Sequence, residues 1–249
     1  MKEILYRILS AWAGATRSSA EIGQTFLATL DALSKVDPSL TNWRFFDPQD
    51  EEGPGLPLDA QLRSSFTQFV EANTKQDDWD RPDPDYGYYL LASNHGVTES
   101  RNRVAEFSVT AGCRWENYSE FDIGGSSTPP DPLAITYRLY KHALLAIIAH
   151  WPAPWACAIC SSWGERPAQA SGDPSFPYSQ YQMPWIGYLN AERARGLAVP
   201  AVLQSERTPD GGLLMSAATE RLDPANREHM ARSKVLAEIM IPRGGRPAR

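Results

Sequence analysis

Residues 131–163 read DPLAITYRLYKHALLAIIAHWPAPWACAICSSW, and this stretch, the most apolar of the chain, decides the fold. Asp131 and Pro132 predict a helix start, because an Asp side chain can cap free N–H groups and Pro fits the first turn. The apolar residues that follow recur at spacings of three and four, which predicts one buried stripe. Its members are Leu133, Tyr137, Tyr140, Leu144, Ile147 and Ile148. We therefore expect a helix over residues 131–149.

The end of this helix is marked by two prolines, Pro152 and Pro154. A proline cannot donate to the helix ladder, and it pushes the residue before it out of the helical region. The next residues, 155–161, are small and apolar on both faces, which is typical of a central strand. A helix followed by a buried strand predicts a sheet with this helix packed on it.

The remaining sequence predicts a sheet built largely from hairpins. Residues 4–9 alternate as a strand, and Ser18 with Glu21 forms a capping box at the start of a helix. The final helix is expected to begin at Asp223-Pro224 and to end at Pro242. Further strands are expected at 86–92, 103–111, 117–123, 185–189, 202–207 and 213–219, the last two joined by an Asp-Gly turn.

These elements together predict the fold class α+β, a twisted and mainly antiparallel sheet with helices packed against it. The helices are expected near residues 18–36, 58–72, 131–149 and 224–240. We expect one domain over residues 1–242, followed by a basic C-terminal tail at 243–249. The aromatic residues after the first helix, Trp43, Phe45 and Phe46, are expected to pack into the core rather than to anchor a partner.

Composition places the protein in the cytoplasm. No run of about 18 apolar residues exists to span a bilayer, so we expect no membrane interaction. Glu3 and Arg7 interrupt the apolar N-terminal stretch, which argues against a signal peptide. Three cysteines are too few for a disulfide framework and suit a reducing compartment.

The negative charge is concentrated in the first half of the chain. Residues 1–100 contain 16 Asp+Glu and 8 Lys+Arg, whereas residues 101–249 contain 14 and 16. Binding to nucleic acid phosphates needs a basic face, so this distribution argues against direct nucleic acid binding. It favours a basic protein partner.

A search for catalytic motifs finds no convincing site. The chain has no Gly-x-Ser-x-Gly elbow, Walker loop or dinucleotide fingerprint. Cys157 and Cys160 have the spacing of a zinc pair, but they lie in the predicted buried strand without a second ligand pair. His95, at a strand end beside a turn, is the best catalytic candidate. We expect no metal ion, no cofactor and no assigned catalytic residue.

Residues 30–43, LDALSKVDPSLTNW, carry a resemblance to a known family. Together with the preceding strand, Trp12 and the capped helix, this stretch resembles the start of the immunity protein 52 family. The resemblance implies an antitoxin that neutralises a nuclease effector of a type VI or related secretion system. It implies no catalytic residues.

The leading hypothesis is therefore a non-enzymatic inhibitor that binds a cognate nuclease toxin and blocks its active site or substrate groove. Exposed acidic segments with aromatic anchors are the expected contact, because such surfaces speed encounter with a basic partner. The predicted toxin-binding residues are Asp77, Asp78, Trp79, Asp80, Asp83 and Asp85, followed by Asp50, Glu51 and Glu52. The alternatives are a small hydrolase or transferase that uses His95, and an adaptor that binds a partner other than a toxin. The sequence does not assign an oligomeric state.

Overall fold

A computed structural model describes residues 3–45, 55–94, 103–124, 130–163 and 182–244. Ten strands form one sheet in which every neighbouring pair is antiparallel. In chain order they are β1 (Glu3–Ala13), β2 (Arg44–Phe45), β3 (Leu56–Pro57), β4 (Tyr88–Ser93), β5 (Ala105–Ala111), β6 (Glu116–Ile123), β7 (Trp155–Trp163), β8 (Gln182–Leu189), β9 (Gln204–Arg207) and β10 (Leu213–Ser216). Across the sheet the order is β3-β2-β4-β5-β6-β1-β7-β8-β10-β9.

Five α-helices lie in the described residues. They are α1 (Ser19–Val36), α2 (Ala60–Ser64), α3 (Phe66–Ala72), α4 (Tyr137–His150) and α5 (Arg227–Gly244). A sheet that is antiparallel throughout, together with five helices, confirms the predicted α+β class.

The first strand occupies the middle of the sheet. β1 pairs with β6 on one side, with Ile8 opposite Phe121, and with β7 on the other, with Ile8 opposite Ala158. It therefore joins the strands that precede α4 to those that follow it. The alternation of apolar residues predicted this strand, but its central place depends on pairing between distant parts of the chain.

One face of the sheet, here called the helical face, is covered by α1, α3 and α4. Tyr6, Ile8 and Trp12 of β1 point to this face and are buried. Trp12 stacks on Trp151 at the end of α4, with ring centroids 5.4 Å apart. The opposite face is covered by α5 over β8 and β7. An added Cβ on Gly187 of β8 would lie 2.7 Å from Met240 of α5, so this glycine permits close packing.

A bulge in β8 places an indole in the core. Ala158 pairs with Ile186, whereas Ile159 pairs with Pro184, so Trp185 is the extra residue. Its ring packs 5.4 Å from Tyr140 of α4, and its Nε1 donates a hydrogen bond of 3.1 Å to the carbonyl of Ala218. The bulge therefore ties β8 to α4 and to the end of β10.

Several predicted elements are confirmed. α1 follows the Ser18–Glu21 capping box, with Ser18 as its N-cap. Trp43 and Phe45 are buried in the core, as expected, while Phe46 lies outside the described residues. The Asp-Gly hairpin joins β9 to β10.

The predicted helix start at Asp131 is wrong. Its carboxylate accepts hydrogen bonds from the N–H of Leu133 (2.9 Å) and from Nε of Arg103 (2.6 Å), which closes a turn rather than a helix. α4 begins at Tyr137, where the Thr136 side chain accepts from the N–H of Leu139. Leu133 consequently lies outside the buried stripe and is 80% exposed.

Three other helix predictions need correction. α5 begins at Arg227 rather than at Asp223-Pro224, where the Asp223 carboxylate accepts from the N–H of Ala225 and closes a turn. The helix expected near 58–72 is divided at Ser65 into α2 and α3, because Ser65 has a ψ of 12° and ends the first helix before the second begins. Pro242 lies inside α5, which continues to Gly244. A proline in the last turn removes only one N–H donor near the free end of the helix, so its effect there is small. No helix in the described ranges is long and apolar enough to cross a membrane.

Candidate functional site

The predicted acidic segment forms a small hairpin just before the start of β4. Gln76 pairs with Pro82 as an isolated antiparallel bridge, and the N–H of Asp77 donates 2.8 Å to the carbonyl of Arg81. At the tip, Asp80 adopts a φ of 59°, in the left-handed region that Asp and Asn tolerate better than most residues. We call residues 76–85 the acidic hairpin.

Asp77 organises the tip of the acidic hairpin rather than displaying its charge. Its side chain is 9% exposed. The carboxylate accepts from the backbone N–H groups of Trp79 (2.8 Å) and Arg81 (3.0 Å) and pairs with the Arg81 guanidinium at 2.8 Å. These hydrogen bonds lower the pKa of Asp77. The largest contribution comes from the backbone N–H of Arg81, followed by the Arg81 side chain and the N–H of Trp79. The ionised carboxylate therefore fixes the turn.

Trp79 is the most exposed aromatic side chain at this tip, with 73% of its surface free. The Arg81 guanidinium lies 5.2 Å from the centre of its ring, within the range of a cation–π contact. The same guanidinium also pairs with the carboxylate of Asp77. The indole is thus exposed and also restrained, which reduces the entropy lost when a partner binds it.

The base of the acidic hairpin rests on the turn between β5 and β6. Asp83 caps a short 3-10 turn by accepting from the N–H of Asp85 (2.9 Å). The N–H of Arg114 donates 2.9 Å to the carbonyl of Asp85, and the two side chains lie 3.6 Å apart as an ion pair. Tyr86 packs edge-on against Trp115 with ring centroids 5.0 Å apart. This contact brings a second exposed aromatic residue to the hairpin.

The structure thus brings together six of the nine predicted binding residues. Asp78 and Asp80 are exposed at the tip, Asp83 and Asp85 are half-buried at the base, and Asp77 is turned inward. The remaining predicted residues, Asp50, Glu51 and Glu52, lie outside the described residues, as does His95.

Sequence reasoning missed three exposed aromatic residues beside the acidic hairpin. Trp115 in the β5–β6 turn is 53% exposed, Tyr118 of β6 is 43% exposed and Tyr89 of β4 is 41% exposed. Tyr89 and Tyr118 both pair with Thr110 of β5, so they lie in one row across three strands. The alternation in residues 116–123, ENYSEFDI, could have placed Tyr118 on the polar face of its strand.

The described residues contain no group of three or more metal-binding side chains. Cys157 and Cys160 are buried within β7, and burial raises the pKa of the Cys160 thiol to about 12. A thiol with this pKa is a poor nucleophile at neutral pH. The arrangement of exposed carboxylates and aromatic rings is suited to binding a protein surface.

Comparison with known proteins agrees with this description. The family model of Immunity protein 52 matches residues 5–244, nearly the whole chain. The chain belongs to the immunity protein 52 family. The resemblance seen in its first 43 residues therefore extends through the entire sheet and α5. No curated protein matches the chain.

A solved structure with the same fold is the Pseudomonas aeruginosa T6SS protein PA0821. The two chains share 12% sequence identity with a TM-score of 0.54, and the alignment covers 98% of this chain and 73% of that one. At this identity the likeness shows the fold alone. It indicates that the overall fold of this chain also occurs in a solved structure.

Proposed function

We propose that this protein is a cytoplasmic immunity protein that binds a cognate nuclease effector of a type VI or related secretion system. Binding blocks the active site or the substrate groove of the toxin, and the immunity protein itself performs no chemistry. Membership of the immunity protein 52 family supports the antitoxin function. The solved relative with the same fold is a T6SS protein, which fits this context.

The acidic hairpin is the observation that carries the contact we propose. A nuclease must attract phosphates, so its substrate groove is basic. Asp78 and Asp80, the sequence neighbours of the restrained Trp79, expose their side chains at the tip. Such a tip can enter a basic groove and occupy the positions that DNA phosphates would take. The carboxylates speed encounter, and the indole supplies buried contact area.

The single sheet that contains strands from Glu3 to Ser216 supports treating residues 1–242 as one binding domain. In this arrangement the acidic hairpin is attached through β4 and the β5–β6 turn to the core of the sheet. A partner therefore meets a preformed surface, which favours tight binding.

The function is tested by expressing the protein with the nuclease-like product of the neighbouring gene. We expect restored growth, a stable stoichiometric complex and suppressed DNA cleavage in vitro. Continued killing, with no complex detected by gel filtration or calorimetry, would reject the antitoxin function.

The contact at the acidic hairpin is tested with the double variant Asp78→Asn/Asp80→Asn. Asn retains the shape of both side chains and tolerates the left-handed backbone of residue 80. We expect an association rate about 10-fold lower at low salt, with a weaker dependence on ionic strength. The matched control, Glu192→Gln/Glu238→Gln, removes the same charge from exposed sites elsewhere on the chain. Equal effects of the two double variants would show that only total charge matters.

A further inference from the structure

The sheet has a large area that no described helix covers. Among the described helices, only α5 lies on the face opposite α1, α3 and α4, and it packs over β8 and β7. The other strands of this face, β4, β5, β6 and β1, direct alternate side chains away from the helices. We call this area the open face. Its partly or largely exposed members are Arg7, Leu9, Ala11, Tyr89, Leu91, Glu106, Ser108, Tyr118 and Glu120.

Exposed aromatic residues are confined to this part of the described structure. Four large aromatic side chains are exposed in the described residues. Trp79 lies in the acidic hairpin, Tyr89 and Tyr118 lie on the open face, and Trp115 lies in the β5–β6 turn between them. Tyr and Trp are the residues most enriched among those that dominate binding energy. Their grouping at one end of the sheet marks a continuous surface rather than isolated exposed side chains.

The charge of this surface is strongly negative. The open face, the acidic hairpin and three adjoining residues, Lys75, Arg44 of β2 and Arg114 of the β5–β6 turn, together contain nine carboxylates against four arginines and one lysine. The carboxylates are Asp77, Asp78, Asp80, Asp83, Asp85, Glu106, Glu116, Glu120 and Asp122, and the arginines are Arg7, Arg44, Arg81 and Arg114. This imbalance accounts for most of the formal net charge of −6. The surface therefore complements a basic partner.

The dimensions of the open face indicate how much of a partner it can hold. Four strands about 4.8 Å apart and about seven residues long present a flat area of roughly 400 Å². A stable protein complex buries about 800 Å² on each partner. The open face alone is about half this size, so a stable contact must extend beyond it, and the acidic hairpin is the exposed surface that adjoins it.

We propose that the open face is a second part of the toxin contact, on which a basic, arginine-rich surface of the cognate toxin lies flat against Tyr89 and Tyr118. This inference rests on the proposed antitoxin function and specifies its interface. The two tyrosines form a row across β4, β5 and β6. A guanidinium can stack on a tyrosine ring while its N–H groups reach a neighbouring carboxylate, a geometry that lysine cannot reproduce.

Glu120 and Arg7 supply the specificity of this contact. They form an ion pair of 2.9 Å in the middle of the open face, and both side chains remain partly exposed. Because the Glu120 side chain is partly exposed, an incoming guanidinium can share its carboxylate with Arg7. Arg7 also repels a cation placed over β1, so it directs the basic partner towards β5 and β6.

The inference is tested by titrating a catalytically inactive form of the neighbouring nuclease with wild-type protein and with Tyr89→Ala/Tyr118→Ala. We expect the double variant to bind at least about 30-fold more weakly, because hot-spot side chains of this type dominate interfaces. The control is Leu133→Ala/Val202→Ala, which truncates two exposed apolar side chains away from the open face and should bind as the wild type does. Circular dichroism and thermal unfolding establish that each variant is folded.

A second variant, Ser108→Arg, places a cation between the two tyrosine-bearing strands without removing a ring. It should weaken binding by about 10-fold or more at low salt, and less at high salt. If the wild type binds the nuclease and both open-face variants bind it as tightly as the wild type does, the open face is not part of the contact, although the antitoxin function stands. If the wild type itself does not bind, the proposed function fails first.

Discussion

The hydroxyl of Tyr140 in α4 donates a hydrogen bond of 2.9 Å to the backbone carbonyl of Tyr6 in β1. Both side chains are buried, and burial holds the pKa of Tyr140 well above its usual range, so the hydroxyl remains a donor. The hydrogen bond therefore ties α4 to β1, the strand in the middle of the sheet.

Replacing Tyr140 with Phe should therefore destabilise the protein by about 1 to 2 kcal/mol, because a buried hydrogen bond is lost without a change in shape. The measurement is urea unfolding followed by circular dichroism. Tyr118→Phe is the control, since its hydroxyl is on an exposed ring and its removal should change stability by less than about 0.5 kcal/mol. Similar losses for the two variants would contradict the role of the Tyr140–Tyr6 bond.

Gly87, which connects the acidic hairpin to β4, should not tolerate a side chain. It has a φ of 76°, and an added Cβ would lie 2.5 Å from the carbonyl oxygen of Ala111 and from the N–H nitrogen of Cys113. Gly196 has a similar φ of 70° with nothing within 4 Å of such a Cβ. Gly196→Ala should cost about 1 to 2 kcal/mol from backbone strain alone. Gly87→Ala should lower the free energy of unfolding clearly more than Gly196→Ala does in the same assay, and it should also weaken toxin binding. Equal losses of stability in the two variants would show that the surrounding backbone moves to relieve the clash at residue 87.

Acidification should disorder the tip of the acidic hairpin. Because hydrogen bonds from Arg81 and Trp79 lower the pKa of Asp77 below the ordinary value of 3.8, the ionised carboxylate stabilises the turn at pH values above 3.8. That contribution is lost as the pH falls through the lowered pKa. The indole N–H signal of Trp79 in NMR spectra should be constant from pH 7 to pH 5 and should shift below about pH 3.8.

The variant Asp77→Asn is the control for this titration. It removes the ionisable group, so the Trp79 signal should lose its acid transition. A transition that persists in Asp77→Asn would assign the change to another carboxylate.

The cysteines should resist modification in the folded protein. Cys113, Cys157 and Cys160 are all buried, and burial is the main cause that raises the pKa of Cys160 to about 12. The thiolate is the reactive form, so Ellman's reagent at pH 8 should label the native protein slowly. In about 6–8 M urea, which unfolds most proteins, the same reagent should label all three thiols rapidly. Rapid labelling of one thiol without urea would reveal local opening of the sheet.

Local signals in the sequence predicted most elements but not all of their limits. The Ser18–Glu21 capping box correctly located α1, because its hydrogen bonds are formed within four residues. Asp131-Pro132 offered the same local signal, yet its carboxylate pairs with Arg103, which is 28 residues away, and closes a turn. A pattern that depends only on neighbouring residues cannot separate these two outcomes.

The candidate site shows the same limit. Composition located the acidic hairpin and its exposed Trp79, but it could not show that Asp77 is turned inward, since that depends on the turn geometry at Asp80. The row formed by Tyr89 and Tyr118 depends on the registers of two strand pairs. Neither tyrosine is distinctive alone in the sequence.

The central place of β1 also sets the order of events during synthesis. Glu3 of β1 pairs with Trp163 of β7, so β1 gains its second neighbour only after the long segment between these two strands has been made. At about 5–20 residues per second, that interval lasts roughly 8 to 30 s. Throughout it, an apolar strand has an unpaired edge that can capture other chains. Until β7 has been made, the exposed edge of β1 is therefore a place at which newly made chains can associate with one another.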